Sequence, residues 1–139
     1  MRVFFGVLFF LILSFYNAQN GRVFDQLTLD SKILNGERKY AIYLPPDYQS
    51  SKRDYPILYL LHGAGDDHTG WVQYGEVLQI ADKEINVGNS TSMIIVMPDA
   101  QTGKKGYFNS FSEKWNYENY FFNEFIPFIE EKYRVKSEK

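Results

Sequence analysis

The stretch from Tyr55 to Trp71, YPILYLLHGAGDDHTGW, constrains the fold more than any other part of the chain. Pro56 opens it, and Ile57-Leu58-Tyr59-Leu60-Leu61 follows, an apolar run too short for a helix. Bounded by a proline and a glycine turn, such a run suits a strand buried on both faces of a mostly parallel sheet. It ends in His62-Gly63-Ala64-Gly65, where glycines free the backbone to turn sharply and to approach a ligand closely. Ligands of open α/β sheets sit at the carboxyl ends of strands, and this loop lies at such an end. A backbone N–H displayed there can donate to an oxyanion that develops during a reaction.

Composition narrows the classes. With 139 residues, 45% hydrophobic, and a net charge of −2, the chain has material for one globular core and no basic surface suited to nucleic acid. Lys104-Lys105 reads as a solvated loop tip. No cysteine is present, which excludes disulfides and thiolate metal sites, and His62 and His68 are too few for a metal centre. Arg2 followed by the apolar stretch Val3–Tyr16 and a polar turn reads as a cleaved signal peptide over residues 1–19. A span would need roughly 20 apolar residues; a retained anchor is the alternative. The expectation is a secreted or periplasmic mature chain, residues 20–139, with 14 basic against 17 acidic residues.

Downstream of residue 20, Val23–Leu34 and Glu37–Leu44 flank Asn35-Gly36, which predicts a hairpin with a type I′ turn. In the second strand Tyr40, Ile42 and Leu44 share one face, and Ala41 and Tyr43 the other. Pro45-Pro46 ends it. Trp71–Val87 carries apolar residues at helical spacing and is stopped by Gly88-Asn89. Met93–Met97 is a second short apolar strand, so strand, helix and strand form one right-handed crossover. Ala100–Asn116 has no periodicity and reads as a long loop on the same edge as the His62 loop, hence a functional candidate. Tyr117–Tyr133 is a second helix, which Pro127 should kink or delay.

Four segments, YAIYLPPDY (Tyr40–Tyr48), YPILYLLHGAGDDHTGW, SMIIVMPDA (Ser92–Ala100) and YENYFFNEFIPFIEEKYRV (Tyr117–Val135), resemble in order and spacing the putative-esterase family of the α/β-hydrolase fold. That group includes feruloyl and acetyl xylan esterases, S-formylglutathione hydrolases, enterochelin esterases and mycolyltransferases. The resemblance implies the N-terminal half of an α/β-hydrolase sheet: an antiparallel hairpin, then parallel strands with crossover helices. It also implies that Ile57–Leu61 lies between the Met93–Met97 strand and a later strand carrying a G-x-S-x-G nucleophile elbow, followed by an acid and a histidine. The 139 residues contain no G-x-S-x-G, and no histidine follows His68. The sequence therefore reads as half of such a domain, ending before its nucleophile. A non-catalytic relic or binding module of the same fold is the other reading.

By that resemblance the Ala64 N–H is one oxyanion-hole donor and Gly63 supplies loop geometry; the alternative is a tight strand-to-helix turn with no further role. His62 reads as a structural, hydrogen-bonded residue. His68 stands where relatives often carry a glutamate and is expected in a solvated loop. Trp71 lines an acyl or sugar pocket, or joins the core, as large aromatics at helix starts more often do. Tyr107 and Phe108 form the lip of a substrate groove or simply pack their loop. Glu124 is expected to satisfy nearby backbone or a tyrosine. Gly63-x-Gly65 half-matches a dinucleotide fingerprint, but Asp66-Asp67 would repel a pyrophosphate. No cofactor or metal is expected, and the implied partner is a small or polysaccharide-linked ester.

Overall fold

The computed structural model describes residues 20–103, 105–111 and 114–136. The expected signal peptide and Lys104 lie outside the described residues, among which no helix is long and apolar enough to cross a membrane.

Strands β1 (Arg22–Ser31), β2 (Gly36–Leu44), β3 (Ile57–Tyr59) and β4 (Ile94–Pro98) form one sheet in the order β1-β2-β4-β3. The sheet is mixed, since β2 is antiparallel to both β1 and β4, and only β3 and β4 run parallel. The hairpin exists, but its turn differs from the expected two-residue type. Ser31 pairs with Gly36 across the four residues 32–35, with φ of 51° at Asn35 and 151° at Gly36. Glu124 reaches over from the far helix to hold that wider loop: its Oε1 accepts the Lys32 and Ile33 N–H groups, both at 3.1 Å, and its Oε2 accepts Ser31 Oγ at 2.5 Å. The structural role expected for Glu124 is thus met, with Ser31 in place of a tyrosine.

Alternation along β2 sorts the core into two layers. Tyr40, Ile42 and Leu44 pack with Ile94, Val96 and an aromatic group from the C-terminal helix, including Tyr117, Tyr120 and Phe125. Ala41 and Tyr43 pack with Ile95, Met97 and Val77 on the opposite face.

The predicted Trp71–Val87 helix is two helices, α1 (Gly70–Gln73) and α2 (Val77–Asn86), separated where Glu76 adopts φ 48° after Gly75. The Trp71 ring occupies the space beside Gly75, where an added Cβ would fall 2.5 Å from the ring. Tyr117–Tyr133 is also interrupted. It comprises α3 (Tyr117–Tyr120), a π-helical turn (Phe121–Phe125) and α4 (Ile126–Lys132), with the Ile126 N–H bonded to the Phe121 carbonyl. Pro127, near the start of α4, has no N–H for the regular ladder, and the wider turn just before it absorbs the break. The Ala100–Asn116 segment holds a small hairpin that its composition did not announce, β5 (Asn109–Ser110) with β6 (Trp115–Asn116). Trp115 anchors it by donating from Nε1 to the Gly106 carbonyl at 2.7 Å. Lys105 is no free solvated tip, since its Nζ lies 4.8 Å from the Trp115 ring centroid.

The expected long strand at Ile57–Leu61 is only three residues, and it is an edge. Leu58 is 43% and Leu61 42% exposed, so burial on both faces is not achieved. Pro56 and Leu60 bond to β4, through the Ile94 N–H and the Val96 carbonyl, which turns the odd-numbered backbone groups outward. On that outer side Tyr55 exchanges hydrogen bonds with Arg134 and Lys136, forming a parallel bridge to Val135. The chain leaving α4 therefore starts along the free edge of β3, where the resemblance places the next strand.

Candidate active site

After its last bond to β4, Leu60 N–H to Val96 O at 2.8 Å, the chain turns out of the sheet through Leu61 and His62. His62 is buried. Its Nε2 accepts the Ala100 N–H at 3.0 Å, which places the ring proton on Nδ1, facing the Gly63 carbonyl at 3.0 Å. The His62 carbonyl in turn accepts the Tyr107 hydroxyl at 2.9 Å. Burial pushes that hydroxyl's pKa up to about 12, so it remains a donor at neutral pH. His62 is therefore a bolt between the loops that follow β3 and β4; a structural, hydrogen-bonded role was expected of it, but not the partners.

Ala64 projects beyond this bolt. It is exposed, and its N–H makes no hydrogen bond to any described residue. The backbone freedom of glycine is used at Gly65, with φ 80°, while a Cβ at Gly63 would meet open space. Asp66 and Asp67 are engaged within the loop. Asp66 Oδ1 accepts the Asp67 N–H at 2.9 Å. Asp67 Oδ1 accepts the Thr69 hydroxyl and N–H, both at 2.7 Å, and these bonds hold its carboxyl below the usual range. Gly70 sits so close behind Asp66 that a Cβ there would fall 1.9 Å from Oδ2.

His68 departs from expectation. It is 6% exposed, and its Nε2 lies 3.1 Å from the Asp25 carbonyl. A bulge in β1 between Phe24 and Leu27 interrupts the ladder at this point. That freed carbonyl draws the imidazole inward, and the solvated loop predicted for it is incorrect.

Trp71 is 36% exposed, its Nε1 donating to the Leu61 carbonyl at 3.0 Å, and its ring lines a groove with Leu60, Val77 and Ile80. Tyr107 lines a small apolar cleft of about 150 Å³ with Leu61, Tyr117, Phe121 and Phe122. Phe108 is 61% exposed, outside that cleft's lining. Ala100 and Thr102 belong to the site and escaped the sequence reading: no local pattern marks a threonine that acts on a loop 37 to 40 residues upstream.

The sequence profile of the family described as "Putative esterase" matches residues 31–139, most of the chain. The chain belongs to this family. An esterase of Mycobacterium tuberculosis is 36% identical over 101 residues, 70% of this chain and 20% of the relative. The endo-1,4-beta-xylanase/feruloyl esterase of Xylanibacter ruminicola is 30% identical over 120 residues, 82% of this chain and 16% of the relative. A solved ferulic acid esterase superposes with a TM-score of 0.79 at 38% identity, covering 84% of this chain and 44% of that one. The chain thus spans a fifth or less of these curated relatives and under half of the solved esterase. Its hairpin, β3, β4 and crossover helices are the first part of an α/β-hydrolase fold.

Proposed function

We propose that the protein is an exported serine carboxyl-ester hydrolase, and that these residues supply one half of its oxyanion hole. The observation that carries this reading is the exposed Ala64 N–H, unpaired among the described residues, at the carboxyl end of β3. A serine outside these residues attacks the ester carbonyl. The new C–O bond pushes an electron pair onto the carbonyl oxygen, and that oxyanion accepts from the Ala64 N–H. Collapse breaks the ester C–O bond, and the alcohol leaves with the serine proton, carried by a base that also lies outside these residues. Water, deprotonated by that base, then releases the acid from the acyl-enzyme. The names of the relatives favour a hydroxycinnamate ester such as a feruloyl group on polysaccharide, and the apolar segment before residue 20 favours export. In this reading Trp71, Tyr107 and Phe108 are the side chains that would meet the acyl or sugar part.

The test is to read the coding DNA beyond Lys139 and to assay the complete product on methyl ferulate. An in-frame G-x-S-x-G within a few tens of residues is expected. So is hydrolysis that falls by about 10²–10³ in kcat when Ala64→Pro removes the donor. A stop codon directly after Lys139, or a complete product inert on esters, would overturn the proposal. A second reading, a non-catalytic relic or binding module of the same fold, is what a stop codon there would support.

A further inference from the structure

The Ala64 N–H does not orient itself. It belongs to the peptide unit whose other pole is the Gly63 carbonyl, and a trans peptide is planar, so the two groups point in opposite directions. Whatever holds the carbonyl also aims the N–H. Three donors hold it: the Thr102 hydroxyl at 2.6 Å, His62 Nδ1–H at 3.0 Å and the Asp66 N–H at 3.3 Å. The shortest of these comes from the other loop, the one that follows β4. Thr102 also accepts the Gly65 N–H at 3.1 Å and lies 3.3 Å from His62 Nδ1. Its one proton and its acceptor capacity are thereby committed to the residues on either side of Ala64.

We infer that Thr102 is a positioning residue, which locks the Gly63–Ala64 peptide with its N–H turned outward toward the reacting oxygen. The need for a lock follows from the loop. Gly63 has no side chain and open space around it, so rotation of this peptide meets little steric resistance. A rotated peptide would turn the Gly63 carbonyl, a negative dipole, toward the developing oxyanion. Thr102 opposes rotation through one donated and one accepted bond that bracket the pivot. It is held in turn by its own loop, where Asp99 Oδ1 accepts the Gln101 N–H at 2.9 Å and His62 Nε2 accepts the Ala100 N–H. The loop after β4 thus prepares a donor carried by the loop after β3. This inference rests on the oxyanion role proposed for Ala64.

Two variants of the complete gene product test it. Thr102→Val keeps the shape and removes both bonds; Thr102→Ser keeps the hydroxyl. An oxyanion donor acts in the transition state, so Thr102→Val is expected to lower kcat on methyl ferulate by about 10- to 100-fold. KM should stay within about twofold, because the donor acts in the transition state, and the melting temperature should hardly move, because both lost bonds are exposed. Thr102→Ser is expected to restore most of kcat. Amide hydrogen exchange gives a second readout independent of activity: the Gly65 N–H should exchange at least about tenfold faster in Thr102→Val and at the parent rate in Thr102→Ser. Parent kcat in Thr102→Val, an equal loss in both variants, or unchanged Gly65 exchange would each overturn the inference. If the parent protein itself lacks esterase activity, the proposed function fails, while exchange at Gly65 still decides whether Thr102 locks the loop.

Discussion

His62 Nε2 accepts the Ala100 N–H at 3.0 Å, a buried bond that helps tie the loop after β3 to the loop after β4. Neither group has water to fall back on, since His62 is 4% exposed and Ala100 is fully buried. Removing the ring leaves the Ala100 N–H unsatisfied, a loss of about 1–3 kcal/mol. His62→Ala is therefore expected to lower the denaturant midpoint of the complete protein by that amount, together with its esterase rate. Full stability in the variant would refute the structural role assigned to this histidine.

The contact between Glu124 and Ser31 makes a similar prediction at the other end of the molecule. One carboxylate on the π-helical turn holds three donors of the β1–β2 loop, and Ser31 Oγ relays onward by accepting the Leu34 N–H at 3.0 Å. Bonds to a charged acceptor are worth about 1.5–3 kcal/mol in favourable cases. Glu124→Ala should cost on the order of 2 kcal/mol by that measure, with more modest losses for Ser31→Ala. Because the two residues share one network, the double variant is expected to depart from additivity by about 0.5–3 kcal/mol. Additive losses would mean that the contact is incidental.

These two networks also mark what the sequence could and could not announce. The element order, the hairpin, the crossover and the faces of β2 follow from local apolar spacing and turn residues, which act over a few positions. The family resemblance singled out Ala64 only as an expectation, through the His62-Gly63 pair. Glu124 over Lys32–Ile33 and Thr102 over Gly63 are unions of residues far apart in the chain, and a polar residue in a loop carries no mark of its distant partner. His68 was misplaced for the same reason, because the carbonyl that draws it inward is exposed by a bulge in β1. The break at Glu76 was hidden as well: an apolar helical period continues across it, while the left-handed φ of 48° at Glu76 separates α1 from α2.

The aromatic core predicts the response to alkali. Burial is the first cause that raises the Tyr40, Tyr43, Tyr59, Tyr117 and Tyr120 hydroxyls above the ordinary value of 10.0, and it raises Tyr107 to about 12. In the unfolded chain these phenols lose their protons near pH 10, while in the fold they keep them. The unfolded state therefore binds fewer protons above pH 10, and stability falls from there through pH 12; below pH 10 the same groups contribute no slope. Tyrosinate absorbance and far-ultraviolet circular dichroism are expected to change together in one alkaline transition. Ionisation of most tyrosines near pH 10 with the dichroism intact would contradict the packing described.

A polypeptide ending at Lys139 is expected to leave p-nitrophenyl acetate unhydrolysed. It has no G-x-S-x-G serine, both ring nitrogens of His62 are engaged, by Ala100 and Gly63, and His68 is buried with its Nε2 on the Asp25 carbonyl. Turnover clearly above a buffer blank, abolished by Ala64→Pro, would show that some other nucleophile works beside this loop.

The same polypeptide should also fail to fold cleanly, and the free side of β3 is the reason. Outward backbone groups of Ile57 and Tyr59 have no ladder partner among the described residues, since pairing on that edge stops at the Tyr55–Val135 bridge. Leu58 and Leu61 stand exposed beside them. On one face of the sheet, Leu60, Val77, Ile80, Ala81, Ile85 and Met93 line an apolar groove of about 460 Å³. An unpaired apolar edge is a template for association with other chains, and an open groove forfeits burial that a domain of marginal stability needs. The segment from Asn20 to Lys139, expressed alone, is expected to be insoluble or molten, to bind the dye ANS and to melt without a sharp transition. A soluble monomer with a cooperative melt would show that residues 20–139 are a self-sufficient domain, and the reading of β3 as an edge awaiting a further strand would have to be abandoned.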